Sequence, residues 1–201
     1  MNVIENNFVL KGKTAVMIKY ILILSFSISS IFLFSCEGNS QDRLTTEAEH
    51  QHFLNSINYS SIMSKSENNE KVVRSEEEWK SRLSSEEYRI LRKHGTEIPY
   101  VNEYNSHDEE GIYVCKGCGE PLFHSDTKYN SRSGWPSYWA PINEDAVMEV
   151  EDRSFFMVRT EILCNVCESH LGHVFDDGPE PTGLRYCMNS AALHFVPKED
   201  S

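Results

Sequence analysis

Gly111-Ile112-Tyr113-Val114-Cys115-Lys116-Gly117-Cys118-Gly119 runs a β-branched, aromatic stretch straight into a C-x2-C pair, and Cys164-Asn165-Val166-Cys167 repeats the pair after 45 intervening residues. Each C-x2-C bends the chain so that two thiolates converge, and two such bends complete a tetrahedral sulfur shell. Gly119 suits the first knuckle because glycine tolerates positive φ. Both pairs abut stretches that read as strands, so each knuckle must be carried on a β scaffold that brings it to the other. Two disulfides, or a thioredoxin-like C-x-x-C, are the rival readings. A disulfide inside each C-x2-C turn would be strained, and no βαβ pattern surrounds either pair. The spacing therefore favours one structural Zn2+ per chain on Cys115, Cys118, Cys164 and Cys167. A closed site of that kind stabilises the fold and is not where chemistry happens.

Outward from the knuckles, 147–150, 154–163, 184–190 and 193–196 are short β-branched or aromatic runs, with turns at 151–153 and 176–183. Upstream, Ser75-Glu76-Glu77-Glu78 and Ser84-Ser85-Glu86-Glu87 both read as capping boxes, and Gly95 as a helix stop. The expected domain, 72–201, is mainly β with short N-terminal helices, an α+β fold. Residues 37–71 are rich in Ser, Asn, Gln and Glu without a sustained apolar period, so 36–71 is expected to be a flexible tether with His50 and His52 solvated.

The N-terminus reads as a targeting segment. Lys11, Lys13 and Lys19 precede an uncharged apolar run of fifteen residues, 20–34. That is short for a spanning helix, which needs about 20, and suits a signal-peptide core. Leu33-Phe34-Ser35-Cys36 resembles a bacterial lipobox, so 1–35 is expected to be a lipoprotein-type signal peptide with Cys36 lipidated. An uncleaved anchor or a cleaved, soluble exported chain is the alternative, and Met17 could be the true start. The 201 residues fit one domain plus these appendages. With 19 Lys+Arg against 31 Asp+Glu, the net charge of -12 argues against a nucleic-acid backbone or a polybasic contact with membrane. A hydrophobic content of 39% excludes global disorder.

Of six cysteines, one assigned to lipid and four to metal leave Cys187. Strand alternation puts Arg185, Cys187 and Asn189 on one face, where an arginine favours the nucleophilic thiolate. A buried, inert thiol is the bland alternative. His170 and His173 follow the second knuckle and could supply a proton to a leaving oxygen. Gly134-Trp135-Pro136-Ser137-Tyr138-Trp139 is a rigid aromatic turn suited to a sulfur-bearing methyl group, though core packing is the default for any single Trp. His94, His107, His124 and His194 show no partner pattern.

Four segments, taken in order with both C-x2-C pairs, carry a resemblance. They are 111–119, Ser133-Gly134-Trp135-Pro136-Ser137, Leu171-Gly172-His173-Val174-Phe175-Asp176-Asp177-Gly178-Pro179 and Arg185-Tyr186-Cys187-Met188-Asn189-Ser190. Over roughly 75–197 the chain resembles methionine sulfoxide reductase B, a family that reduces the R epimer of methionine sulfoxide. The resemblance implies a β-tent of two antiparallel sheets. It places the nucleophile on Cys187, the zinc ligands on Cys115, Cys118, Cys164 and Cys167, and the acid-base and substrate-pocket residues on His170, His173, Asn189, Arg185 and Trp135. It also implies a Cys187 sulfenic acid intermediate. Many relatives carry a resolving cysteine just before the Gly-Trp-Pro turn, where this chain has Ser131-Arg132-Ser133. An external thiol, thioredoxin-like or other, is therefore the expected reductant, and oxidised proteins or peptides the expected substrate. The expected setting is the cell envelope, as a membrane-anchored monomer with no nucleic-acid partner. A zinc-stabilised binding module would need the knuckles but not the Cys187 strand and its histidines; a reductase of the free amino-acid sulfoxide would differ only in substrate.

Overall fold

The computed structural model describes residues 38–64, 70–154 and 157–199. The apolar run 20–34 and Cys36, which carry the export and lipidation expectations, lie outside the described residues. The chain divides into two compact units, Met1–Asp42 and Arg43–Ser201. The first is described only over residues 38–42, the start of the first helix, and the remaining features below belong to the second.

Four helices precede the strands: α1 Gly38–Ser56, α2 Tyr59–Ser64, α3 Glu76–Arg82 and α4 Ser85–Lys93. Both anticipated capping boxes form, with Ser75 and Ser84 accepting from the Glu78 and Glu87 amides and each glutamate reaching back to its cap. The stop of α4 falls one residue earlier than Gly95. His94 itself takes the left-handed conformation at φ 53, and Gly95 is needed for close approach, since a Cβ there would lie 2.8 Å from the Arg89 carbonyl oxygen.

The strands are β1 Gly111–Cys115, β2 Pro121–His124, β3 Lys128–Tyr129, β4 Ser137–Tyr138, β5 Val147–Asp152, β6 Arg159–Cys164, β7 His170–Phe175, β8 Arg185–Met188 and β9 Leu193–Pro197. They form two sheets, β2-β1-β9 and β3-β4-β8-β7-β6-β5, in which every paired neighbour is antiparallel. The expected fold class holds. The main core joins Trp79, Leu83, Ile90 and Leu91 of α3, α4 and their connection to Tyr113, Phe123, Tyr138, Leu171 and Tyr186 of the sheets. Tyr138 stacks on Phe123 with ring centroids 4.4 Å apart and meets Tyr113 edge-on at 5.3 Å.

The expected tether differs from the structure where it is described. Residues 38–56 and 59–64 are helical, His50 is buried with Nε2 2.7 Å from the Lys116 carbonyl oxygen, and Leu54 and Ile62 are buried. The reason lies in β1, whose five residues are all buried. Tyr113 and Cys115 point into the main core, whereas Ile112 and Val114 pack outward with Ile62, Val196, Ile57 and Tyr59. A few apolar residues in a polar segment suffice to cover that outward face, and composition averages them away. Leu54 of the same segment is fully buried, so Leu54→Ala should cost about 2–4 kcal/mol in urea unfolding. A change within about 0.5 kcal/mol, as for a solvated residue, would contradict this packing.

Candidate active site and metal centre

The two knuckles are built alike. Cys115 accepts from the Gly119 amide at 2.7 Å and donates to the Glu120 carbonyl at 2.7 Å; Cys164 accepts from Glu168 and donates to Ser169, both at 2.9 Å. The residue four after the first cysteine has positive φ in each, 77 for Gly119 and 56 for Glu168. The first knuckle joins β1 to β2 and the second joins β6 to β7, so the cluster ties one sheet to the other. All four Sγ atoms lie within 4.8 Å of one another, with Cys115–Cys167 at 3.6 Å and Cys118–Cys164 at 3.7 Å. Neither distance is that of a disulfide. A tetrahedron with metal–sulfur bonds of about 2.3 Å has edges of about 3.8 Å, so the set fits a zinc ion.

The second knuckle also fixes where β7 begins, and β7 carries both histidines. Directly paired residues share a face of a sheet. Register therefore lines up Ser137 of β4, Cys187 of β8, His173 of β7 and Glu161 of β6 in one row. His170 and His173 are three apart and would point to opposite faces of a regular strand. A bulge intervenes, because Ile162 and Leu163 face Gly172 and His170 and leave Leu171 extra. It turns His170 onto the His173 face, with ring centroids 5.6 Å apart.

Around Cys187, Ser133 Oγ lies 3.7 Å from Sγ, and Ser131 Oγ reaches Ser133 and Ser137 at 2.8 and 2.7 Å. Trp135 is held by its Nε1–H donating to the Glu97 carbonyl at 3.2 Å. His173 Nε2 lies 3.0 Å from Asp152 Oδ2, which also accepts from Arg159 at 2.5 Å. Asn189 leaves the strand with its side chain committed elsewhere, donating to the Leu171 carbonyl at 3.1 Å and accepting from the Glu97 amide at 3.1 Å. It fastens the Trp135 support to β7.

A family model, described as the SelR domain, matches residues 83–197. The peptide methionine sulfoxide reductase MsrB of Hahella chejuensis is 56% identical over 126 residues, 63% of this chain and 91% of that relative. The chain belongs to the methionine sulfoxide reductase B family. The namesake from Methanosarcina mazei is 53% identical over 131 residues, 65% of this chain and 94% of its own, and that from Leptospira interrogans is 54% identical over 127 residues, 63% and 97%. Membership makes the chain an enzyme, an oxidoreductase acting on methionine sulfoxide.

The thiol of this methionine sulfoxide reductase B departs from one expectation. Burial pushes the Cys187 thiol above its ordinary range, outweighing the hydrogen bond from Ser133 and the charge of Arg185. Arg185 is not a free cation: Nε and Nη2 grip Asp177 at 2.7 and 2.9 Å, and the guanidinium lies 4.3 Å from the Phe175 ring centroid. Because the thiolate is the reactive form, alkylation of resting Cys187 should rise with pH, through a midpoint above that of a free thiol. Asp177→Asn unpairs Arg185 and should lower that midpoint by about one unit, raising the iodoacetamide rate near neutrality several-fold. An unchanged midpoint would show that Arg185 does not act on the thiol.

Sequence reasoning assigns no site role to Glu97, Asp152, Asp177 or Glu161, nor a hydrogen-bonding role to the serines beside Cys187. Each is a common polar residue of a loop, strand or turn, and only the folded chain shows which partner it meets. Burial pushes the Glu97 carboxyl up, although it accepts from the Ser190 and Ala191 amides at 2.5 and 3.1 Å. Ser154 and then His173 hold Asp152 well below the usual carboxylate range, while burial lowers His173 despite its Asp152 partner.

Proposed function

We propose that this chain reduces methionine R-sulfoxide in oxidised proteins or peptides, with Cys187 as nucleophile and His173, aided by His170, as proton donor. One observation carries the reading: among the described residues, the thiol outside the four-cysteine cluster sits in register between His173 and Ser137. Trp135 receives the sulfoxide methyl, and its fixed indole selects the epimer whose oxygen faces the histidines. The Cys187 thiolate attacks the sulfoxide sulfur and forms a sulfur–sulfur bond, while one proton from histidine goes to the oxygen as the sulfur–oxygen bond breaks. The hydroxide so released adds to Cys187 Sγ, and the sulfur–sulfur bond breaks with its electron pair leaving on methionine. Methionine sulfur gains two electrons and Cys187 loses two, leaving methionine and a sulfenic acid. Ser133 and Ser137 hydroxyls can donate to the thiolate and to that oxygen.

Two equivalents of an external thiol complete the cycle. The first displaces water from the sulfenic acid to form a mixed disulfide, and the second releases Cys187 and a symmetrical disulfide. Ser131 and Ser133 offer no resolving thiol. Cys115, Cys118, Cys164 and Cys167 would hold a zinc ion that supplies a cross-link between the sheets. The apolar run 20–34 and Cys36 support a lipid-anchored protein of the cell envelope acting on oxidised envelope proteins.

The test follows separated R and S epimers of a peptidyl methionine sulfoxide with dithiothreitol and the detergent-solubilised chain. Loss of the R epimer alone is expected. With one equivalent of substrate and no reductant, dimedone should label Cys187. Consumption of the S epimer, or a stoichiometric disulfide between Cys187 and another cysteine of the same chain, would overturn the proposal.

A further inference from the structure

His94 and Glu161 stand outside the reading above, and they meet on His170. Glu161 Oε1 lies 2.5 Å from Nδ1 of His170 and 2.5 Å from Nδ1 of His94, across 9 and 67 residues of sequence. The side chains grade from surface to interior, with relative exposures of 62% for His94, 12% for Glu161 and 1% for His170. An ionised carboxylate only accepts, so both imidazoles must present Nδ1–H to the same oxygen. Burial pushes the Glu161 carboxyl up, but hydrogen bonds from His170 and His94 more than offset it and keep it below its ordinary value. The other nitrogen of His170, Nε2, is buried without a hydrogen-bond partner among the described residues.

Three backbone features aim these groups. The β7 bulge brings His170 to the Glu161 face, the knuckle at Cys164–Cys167 anchors the start of β7, and the left-handed cap of α4 carries His94, whose ring meets Glu161 from the surface. Holding Nδ1–H fixes the ring and its tautomer, as an outer carboxylate does for a metal-bound or catalytic histidine.

We propose that Glu161 is the positioning residue for His170, keeping Nε2 free for the substrate oxygen, and that His94 tunes this hold by competing from the surface for the same carboxylate oxygen. The proposal rests on reading His170 as an aid to proton delivery. With Nδ1–H held by Glu161, Nε2 is the nitrogen that faces the substrate oxygen, so a proton delivered by His170 leaves from Nε2. His94 draws on the same lone pairs and weakens that support. Among the described residues, charged or titratable groups near this cluster include His173, in register with Glu161, beyond it Asp152, Arg159 and Cys187, and from α4 Arg92, which reaches the Cys167 carbonyl and Ser169.

Two substitutions then act in opposite directions. In the zinc-loaded full chain, Glu161→Gln keeps the shape and removes the charge. Its kcat should fall about tenfold with KM unchanged, and the alkaline limb of the kcat–pH profile should move about one unit lower. His94→Ala leaves the carboxylate to His170 alone and should move that limb higher. Independently of turnover, nitrogen NMR of labelled histidines in the unsubstituted chain should find the His170 proton on Nδ1 at pH 8. Limbs that stay in place or move in the same direction, or a proton on Nε2, overturn the proposal. Absence of turnover in the unsubstituted chain, with the proton on Nδ1, would instead remove the functional reading and leave Glu161 as a structural partner.

Discussion

Cys187→Ser is expected to abolish reduction of the R-sulfoxide, with a loss of at least about a thousandfold, limited by background. The argument is one of electrons as well as nucleophilicity. A serine oxygen has no accessible higher oxidation state, so it cannot supply the two electrons that the sulfoxide sulfur must gain. The hydroxyl fits where the thiol sits, half-buried and 3.7 Å from Ser133 Oγ, so the variant should keep its melting temperature within about 2 °C and its full metal content. Activity assay, calorimetry and metal analysis of the same sample make the check. Turnover surviving in a folded, metal-loaded Cys187→Ser chain would mean that the electrons come from elsewhere.

Cys164→Ser should produce the complementary loss. This cysteine ends β6, faces Cys118 at 3.7 Å and belongs to the cluster that ties the two sheets. Its removal leaves three ligands for a site whose binding free energy is folding free energy. Metal content should fall to near zero. The melting temperature should drop by more than about 15 °C, corresponding to a loss of several kcal/mol. Activity would vanish with the fold, so the pair of variants separates a chemical thiol from a structural one. A Cys164→Ser chain with unchanged melting temperature and one bound metal would remove the cluster from the account. Sensitivity of the parent chain to dithiothreitol, in place of chelators, would favour the disulfide alternative.

Features encoded within a few consecutive residues were legible in advance. The C-x2-C turns constrain their own thiols, and a glycine follows the first where φ is 77. Both capping boxes formed as spelled, because a cap is a contract between residues three apart. Strand alternation correctly put Arg185 and Cys187 on one face of β8. It could not show that Asp177 neutralises Arg185, since that grip depends on how the loop 176–183 returns to the strand. Residues 38–64 misled for a related reason. Their sparse apolar positions have no meaning until the outward face of β1 presents Ile112 and Val114 to them.

By itself, then, the sequence determined the four-sulfur cluster, the place of Cys187 outside it, the helical caps and the antiparallel β character. Local covalent geometry and side-chain periodicity are properties of short stretches and carry through to the folded chain. Only the tertiary structure decided which acidic residues meet which histidines. Glu161 reaches His94 across 67 residues and His170 through a bulge that no residue type announces. Register is set by the packing of both sheets at once, and a shift of a single residue would turn Glu161, His173 and Cys187 to different faces.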